Sequence, residues 1–245
     1  EIQSLDELSV LGSGRELQGR HFVTWERRGK NLLGFGSGRI GLLSHLGMTG
    51  KWVADAPSER PHQRLVLVFQ DQQLPERVSL VDSRRFGRSE FISNEGLKTH
   101  PRIADLGIEP LGNDLNGRYL ERKLERSRAP WKQKLLEQNV VAGLGNIALC
   151  EIGWRSRIHP HVPCSQLSSK EWDDLARCTQ EHLRYVLKAE DGEEIAYLGE
   201  KNAENPFLCY GRQGEPCPNC NSAFQRVVLS GRPTFFCGSC QPLES

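Results

Sequence analysis

Cys217-Pro218-Asn219-Cys220 and Cys237-Gly238-Ser239-Cys240 stand sixteen residues apart near the end of the chain. Each Cys-x-x-Cys turn places two thiolates on one side of a tight bend. Two such turns supply four sulfurs to a closed tetrahedral Zn²⁺ site, the geometry of a structural rather than a catalytic metal. Two disulfides are the competing use of the same four residues. Between the turns, Phe224-Gln225-Arg226-Val227-Val228-Leu229 and Thr234-Phe235-Phe236 are short β-branched and aromatic runs around Ser230-Gly231-Arg232-Pro233, which predicts a β-hairpin finger. So small a unit has little core of its own, and metal binding then supplies much of its folding free energy. One structural Zn²⁺ on Cys217, Cys220, Cys237 and Cys240 is the cofactor expected.

Working outward, 245 residues allow two ordinary domains or one large one. A hydrophobic content of 37% with 26% charged residues is that of a soluble globular protein. No apolar run is long enough to cross a bilayer, and the start carries no signal-peptide pattern. The cysteines outside the finger (Cys150, Cys164, Cys178, Cys209) are scattered in contexts that suit buried thiols, which points to a reducing, intracellular compartment. A formal charge of +1 is not the global signature of a nucleic-acid binder, so local clusters matter more. Arg27-Arg28-x-Lys30, Arg84-Arg85-x-x-Arg88 and Arg118-x-x-x-Arg122-Lys123 are offset by Glu190-Asp191-Gly192-Glu193-Glu194. A basic groove with an acidic back and an ordinary solvated surface both read this way.

Taken in order, Leu5, Leu8, Val10 and Leu11 suggest a short helix. From Phe22 the period changes to two. Phe22–Trp25 and Asn31–Phe35 alternate like strands about an Arg27-Arg28-Gly29-Lys30 turn, followed by Arg39–Leu46, Arg64–Phe69 and Arg77–Val81. Short strands at this spacing indicate an antiparallel sandwich or barrel. Beyond Pro101 the pattern becomes helical. Asn113-Asp114-Leu115-Asn116 caps a helix over Tyr119–Leu124, Ala129-Pro130-Trp131 starts another over Lys132–Gln138, and Gly143-Leu144-Gly145-Asn146 opens a third through Ile152. Lys170–Lys188 carries Trp172, Leu175, Ala176, His182, Leu183 and Val186 at helical spacing. The expected organisation is a β-sandwich lobe at 1–108, a helical lobe at 109–206 and the finger at 207–245, an α+β multidomain chain.

Four stretches are more specific together than any one alone: Arg27–Lys30 followed by His45-Leu46-Gly47-Met48-Thr49-Gly50; Asp82-Ser83-Arg84-Arg85-Phe86-Gly87; Val140–Ile147; and Tyr210-Gly211-Arg212-x-Gly214-Glu215-Pro216-Cys217. In this order they resemble the formamidopyrimidine-DNA glycosylase family (Fpg, of the Fpg/Nei superfamily) from about Phe22 to the C-terminus. The resemblance implies a β-sandwich lobe and a helix–two-turn–helix lobe with a zinc finger, acting as a monomer on duplex DNA that carries oxidised or abasic sites. It implies excision of oxidised purines such as 8-oxoguanine and formamidopyrimidines, then strand cleavage by β,δ-elimination, in a cytoplasmic, nucleoid-associated enzyme of base-excision repair.

An enzyme that acts on a base must swing it out of the stack at a cost of a few kcal/mol. By the resemblance Phe86 is the apolar wedge, Met48 fills the void and Arg84 pairs with the estranged cytosine. Each of the three, alone, also reads as an ordinary core or solvated residue. Lys30 reaches damaged-strand phosphates and supports catalysis. Asn146 donates to a flanking phosphate, Arg232 completes the clamp from the finger tip and, like Lys30, supports catalysis, and His45 lies near the backbone. Gly-x-Gly-Asn alone is only a helix start.

Two departures bear on the chemistry. The family's nucleophile is an N-terminal proline whose amine attacks C1′, followed by a glutamate that handles protons on the sugar. Neither is matched near Glu1, and the distance to Lys30 places about 25–30 residues, roughly a helix and a strand, ahead of this sequence. The other possibility is a chain that starts here and binds damaged or abasic DNA without cutting it. Lys30 as a substitute amine has no support in the sequence. Glu193–Pro206 is shorter and more acidic than the family's base-covering loop, which leaves lesion preference open. A zinc-ribbon protein that binds RNA or another protein is a third reading, weakened by Met48, Arg84 and Phe86.

Overall fold

Short apolar runs between Phe22 and Val81 cannot bury their apolar sides in one layer, and with Arg88–Ser93, which the sequence does not mark, they resolve into two facing sheets. A computed structural model describes residues 2–4, 9–55, 60–70, 75–189, 205 and 207–243, in two units, Glu1–Asp105 and Leu106–Ser245. In the first unit one sheet has the order β2 (Val10–Leu11), β9 (Arg88–Ser93), β5 (Ile40–His45), β4 (Asn31–Gly36), β3 (Phe22–Arg28). Its pairs are antiparallel except β2 with β9. The other has the antiparallel order β1 (Ile2–Ser4), β7 (Gln63–Val68), β8 (Arg77–Val81), β6 (Lys51–Ala54). Leu42 and Phe91 of the first sheet and Leu65, Leu67 and Leu80 of the second share one buried cluster with Val10 and Leu17, which is the sandwich core. The edge strand β3 is mostly exposed and bears Glu26, Arg27 and Arg28, charges that discourage edge-to-edge pairing.

Val10 and Leu11 depart from the helical expectation. They pair in parallel with Ser89 and Glu90, Val10 turned inward and Leu11 outward, as a strand's alternation requires. Leu5 and Leu8 lie outside the described residues. Two short helices close the unit, α1 (Asn94–Thr99) and α2 (Pro101–Ala104). Ser93 Oγ accepts from Gly96 N–H at 3.0 Å and Pro101 opens α2, both ordinary helix starts. Helices this short show no period in sequence.

The second unit holds α3 (Gly117–Leu124), α4 (Trp131–Leu136), α5 (Asn146–Ser156) and α6 (Ser169–Ala189). Asn116 Oδ1 caps α3 by accepting from Tyr119 N–H at 2.9 Å. Ser168 and Glu171 form a reciprocal box at the head of α6, with Ser168 N–H donating to Glu171 Oε2 at 2.8 Å. The apolar stripe of α6 packs against α3 and α5, so that Trp172, Leu175, Leu120, Leu149 and Ile152 share a core with Trp131 of α4. The finger hairpin is β10 (Gln225–Leu229) and β11 (Arg232–Phe236), and β11 lies on α5. Its two-residue turn has Ser230 at φ 51° and Gly231 at φ 71°, the left-handed pair that suits a tight hairpin. Among the described residues no helix is long and apolar enough to cross a membrane.

Candidate nucleic-acid interface and metal centre

In a sheet ordered β9-β5-β4-β3, the start of β9, the end of β5 and the β3–β4 turn share one end, and three loops meet there. The β3–β4 turn carries exposed Lys30; Arg27 Nη1 donates to Gly29 O at 2.9 Å and tightens the bend. Beside it a cavity of about 340 Å³ is lined by Arg27, Lys30, Asn31, His45 and Gly47 among others. His45 faces Asn31 across the β4–β5 ladder. Its Nδ1 accepts from Gly47 N–H at 3.1 Å, so a neutral ring carries its proton on Nε2. Burial pushes its pKa below the ordinary value, and the Arg102 and Lys30 cations push the same way.

The second loop, Leu46–Gly50, turns at Gly47, whose φ is 66°. A Cβ there would sit 2.4 Å from Phe86 C and 2.6 Å from Gly87 N, so glycine alone lets this loop touch the third, Asp82–Gly87 between β8 and β9, backbone to backbone. Met48 is 59% exposed and Phe86 52%, large apolar side chains of the kind folding normally hides. Arg84 Cζ lies 4.7 Å from the centroid of the Phe86 ring, a cation–π contact. The sequence-derived residues Lys30, His45, Met48, Arg84 and Phe86 thus gather at one end of the sandwich.

The second unit brings Asn146 and the Arg232 strand together. Asn146 opens α5, where first-turn N–H groups have no partner in the helix ladder and favour anions. Its Nδ2 donates to Pro233 O at 2.8 Å and its Oδ1 accepts from Lys132 Nζ at 2.6 Å. Lys132 Nζ also donates to Thr234 Oγ1 at 2.9 Å. Arg232, next to Pro233, is exposed at the hairpin turn. Gln138 braces the Gly-rich turn, its Oε1 accepting from Gly143 N–H at 2.8 Å and its Nε2 donating to Leu144 O at 2.8 Å.

Lys132 and Glu151 are absent from the sequence-derived set. Lys132 is fully buried, and Glu151, 1% exposed, accepts from the N–H groups of Leu208, Cys209 and Tyr210 at 3.2, 2.8 and 2.8 Å. Both sit on helices, where Lys and Glu read as solvated, and no spacing marks either as buried. Arg212 of the Tyr-Gly-Arg motif ties back to Glu215 Oε2 at 2.6 Å and Asn205 O at 3.1 Å, a bracing role. Apart from Asn205, the acidic loop at 193–206 lies outside the described residues.

The four finger thiols have sulfurs within 4.8 Å of one another, with Cys220–Cys237 at 3.3 Å and Cys217–Cys240 at 3.9 Å. A tetrahedron with Zn–S bonds of about 2.3 Å has edges of about 3.8 Å, so the set fits one structural Zn²⁺. The sulfurs are unbonded to each other and the disulfide alternative does not fit. Trp154 Nε1–H donates to Cys217 Sγ at 3.4 Å, an outer-shell bond of the kind that steadies a metal thiolate. At the hairpin base Gln241 accepts from Cys237 N–H and donates to Ile158 O, each at 2.9 Å.

Comparison with known proteins covers both units. The family model described as the formamidopyrimidine-DNA glycosylase N-terminal domain matches residues 5–89, the H2TH domain of the same glycosylase matches 106–195, and the zinc finger found in FPG and IleRS matches 214–243. A formamidopyrimidine-DNA glycosylase of Cereibacter sphaeroides is 36% identical over 242 residues, which cover 92% of this chain and 84% of the relative. One from Gluconobacter oxydans is 35% identical over 236 residues, with the same coverage. Lactococcus lactis Fpg, solved in complex with DNA containing an abasic site, superposes with a TM-score of 0.85 at 32% identity, covering 99% of this chain and 91% of that one. Its complex with DNA containing Fapy-dG gives 0.84 at the same identity and coverage.

Proposed function

Since the chain belongs to the formamidopyrimidine-DNA glycosylase family, we propose that it removes oxidised purines, 8-oxoguanine and formamidopyrimidines, from duplex DNA and then cleaves the abasic strand. The observation that carries the reading is the exposure of Met48 and Phe86 on two touching loops, with Arg84 held against the Phe86 ring. Large apolar side chains in water are unfavourable in the free protein and useful only where something apolar receives them. A base stack is such a receiver.

In this reading Phe86 wedges between base pairs and kinks the duplex, Met48 fills the place of the extruded base, and Arg84 pairs with the cytosine left behind. Lys30, the Nε2–H of His45, the second Nδ2 hydrogen of Asn146 and Arg232 grip phosphates along the bent strand. The zinc finger holds Arg232 at its tip and takes no part in the chemistry. The covalent step implied by the family is amine attack on C1′ with loss of the base, a Schiff base on the sugar and elimination of the flanking phosphates. In the family that amine belongs to an N-terminal proline, and in this reading Lys30 is left to the phosphates. The non-catalytic reading is not favoured, because the relatives are named as glycosylases.

The test is incubation of the native full-length polypeptide with a duplex bearing 8-oxoguanine opposite cytosine. Free base, a nicked strand and a borohydride-trapped protein–DNA adduct are expected. Phe86→Ala lowers excision by about 10²-fold, the equivalent of the few kcal/mol of unstacking, with undamaged-duplex affinity retained. Preferential binding without base release by the full polypeptide would return the protein to the non-catalytic class.

A further inference from the structure

Asp82, at the end of β8, has a side chain committed to two loops at once. It is 1% exposed. Its Oδ1 accepts from Thr49 Oγ1 at 2.6 Å and from Arg84 N–H at 3.2 Å, while Oδ2 accepts from Gly87 N–H at 2.7 Å. Thr49 follows Met48 and Gly87 follows Phe86, so one carboxylate is bonded next door to both exposed apolar side chains. The residue itself is anchored, its backbone O accepting from Arg64 Nε at 2.9 Å and its N–H donating to His62 O at 3.0 Å. Burial alone would raise its pKa, but the Thr49, Gly87 and Arg84 hydrogen bonds and the Arg64 cation outweigh it and hold the carboxyl below its ordinary range. Between the two bonds on the third loop, Arg85 occupies the left-handed region at φ 57°, a conformation a non-glycine residue keeps when its neighbours are fixed.

We propose that Asp82 is a positioning residue for insertion into the base stack, joining the Met48 and Phe86 loops so that they enter DNA as one preformed wedge. This rests on the assignment of Met48 and Phe86 above. The physical gain is that the ordering of two loops is completed during folding and is not charged against binding. Only an ionised carboxylate serves all three donors, because an asparagine in its place turns an N–H₂ toward one of them.

The experiment compares the parent with Asp82→Asn and Thr49→Val, using a lesion duplex with 2-aminopurine beside the lesion as reporter of unstacking. Both variants should slow the fluorescence rise by about tenfold, the size of one lost buried charge-assisted bond, and lower kcat for excision alike. Affinity for undamaged duplex and the KM should stay within about twofold, since phosphate contacts do not pass through Asp82. The double variant should be no slower than Asp82→Asn, because the two substitutions remove a shared bond. A parent-like fluorescence rise in both variants overturns the proposal, and so does an equal loss on undamaged duplex. If Asp82→Asn does not fold, Thr49→Val carries the comparison, its near-isosteric change removing one hydroxyl only. If the parent itself gives no unstacking signal, the glycosylase reading fails. Loop coupling is still read without DNA as faster amide exchange at residues 47–49 and 84–87 in Thr49→Val, and exchange equal to the parent's refutes it.

Discussion

Lys132 Nζ sits 2.6 Å from Asn146 Oδ1, a charge-assisted bond made by an ammonium with no exposure to water. Burial lowers the Lys132 pKa from the ordinary lysine range, Cys150 opposes that shift and Arg232 adds to it. Such a lysine is retained for what it orients. It fixes which face of the Asn146 amide carries N–H, and hence which way its second hydrogen points.

Lys132→Met keeps the length and removes the charge, leaving Asn146 Oδ1 and Thr234 Oγ1 without a donor. The expected cost is about 2 kcal/mol of stability in urea unfolding, with a fold that persists. Affinity for abasic duplex should fall about tenfold, and adding Asn146→Ala should cost little more, since the two act through one contact. Additive losses would show that Lys132 does not act through Asn146.

Arg232→Ala should weaken binding to lesion and plain duplex alike and lower the slope of log K against log salt by about 0.9, one phosphate contact's worth. Titrations across a salt series check this. An unchanged slope removes Arg232 from the phosphate ligands.

Cys237→Ser should release zinc and abolish DNA binding while the sandwich stays folded, because Cys237 is buried among the residues that pack the finger on α5. Metal analysis reads the first effect, and proteolysis of the separate units the last. Zinc retained at one equivalent would refute the four-thiolate site.

His182 on α6 is 3% exposed, and burial, assisted by the Arg155 cation, lowers its pKa to about 4. An unfolded imidazole titrates near 6.5, so between about 6.5 and 4 the unfolded chain binds a proton that the folded one refuses. Stability is therefore complete above this window and declines as pH falls through it, by about 3 kcal/mol in total. His159 and His45 are shifted the same way. Urea unfolding at pH 7 and pH 5 should show the loss, and His182→Asn should make it smaller. An equal loss in that variant assigns the pH dependence elsewhere.

Strands β3, β4, β5, β7, β8 and the finger hairpin, helix α6 and the metal ligands are legible in the sequence because each carries an apolar run, a periodicity or a spacing that local chemistry imposes, whereas β1, β6 and β9 carry no such mark. The apolar run Leu65–Phe69 and the paired Cys-x-x-Cys turns need no knowledge of partners. Lys132, Glu151 and Asp82 do need it. Their charges are buried only because donors or acceptors arrive from far along the chain: Thr234 for Lys132, Cys209 for Glu151, Thr49 for Asp82. A lysine or carboxylate gives no local sign of such company. Val10 and Leu11 fail for the opposite reason, since a two-residue strand is defined by its neighbour β9 and has no period of its own.

Asn146 and Pro233, bonded at 2.8 Å, stand 87 positions apart. On a ribosome the residue that opens α5 emerges long before the hairpin that orients it. Until that hairpin is synthesised and closed on its metal, Asn146 lacks Pro233 O and Lys132 lacks Thr234. A half-made chain therefore holds the helical lobe without a finished phosphate grip, and competence for DNA waits until the finger hairpin has been made and closed.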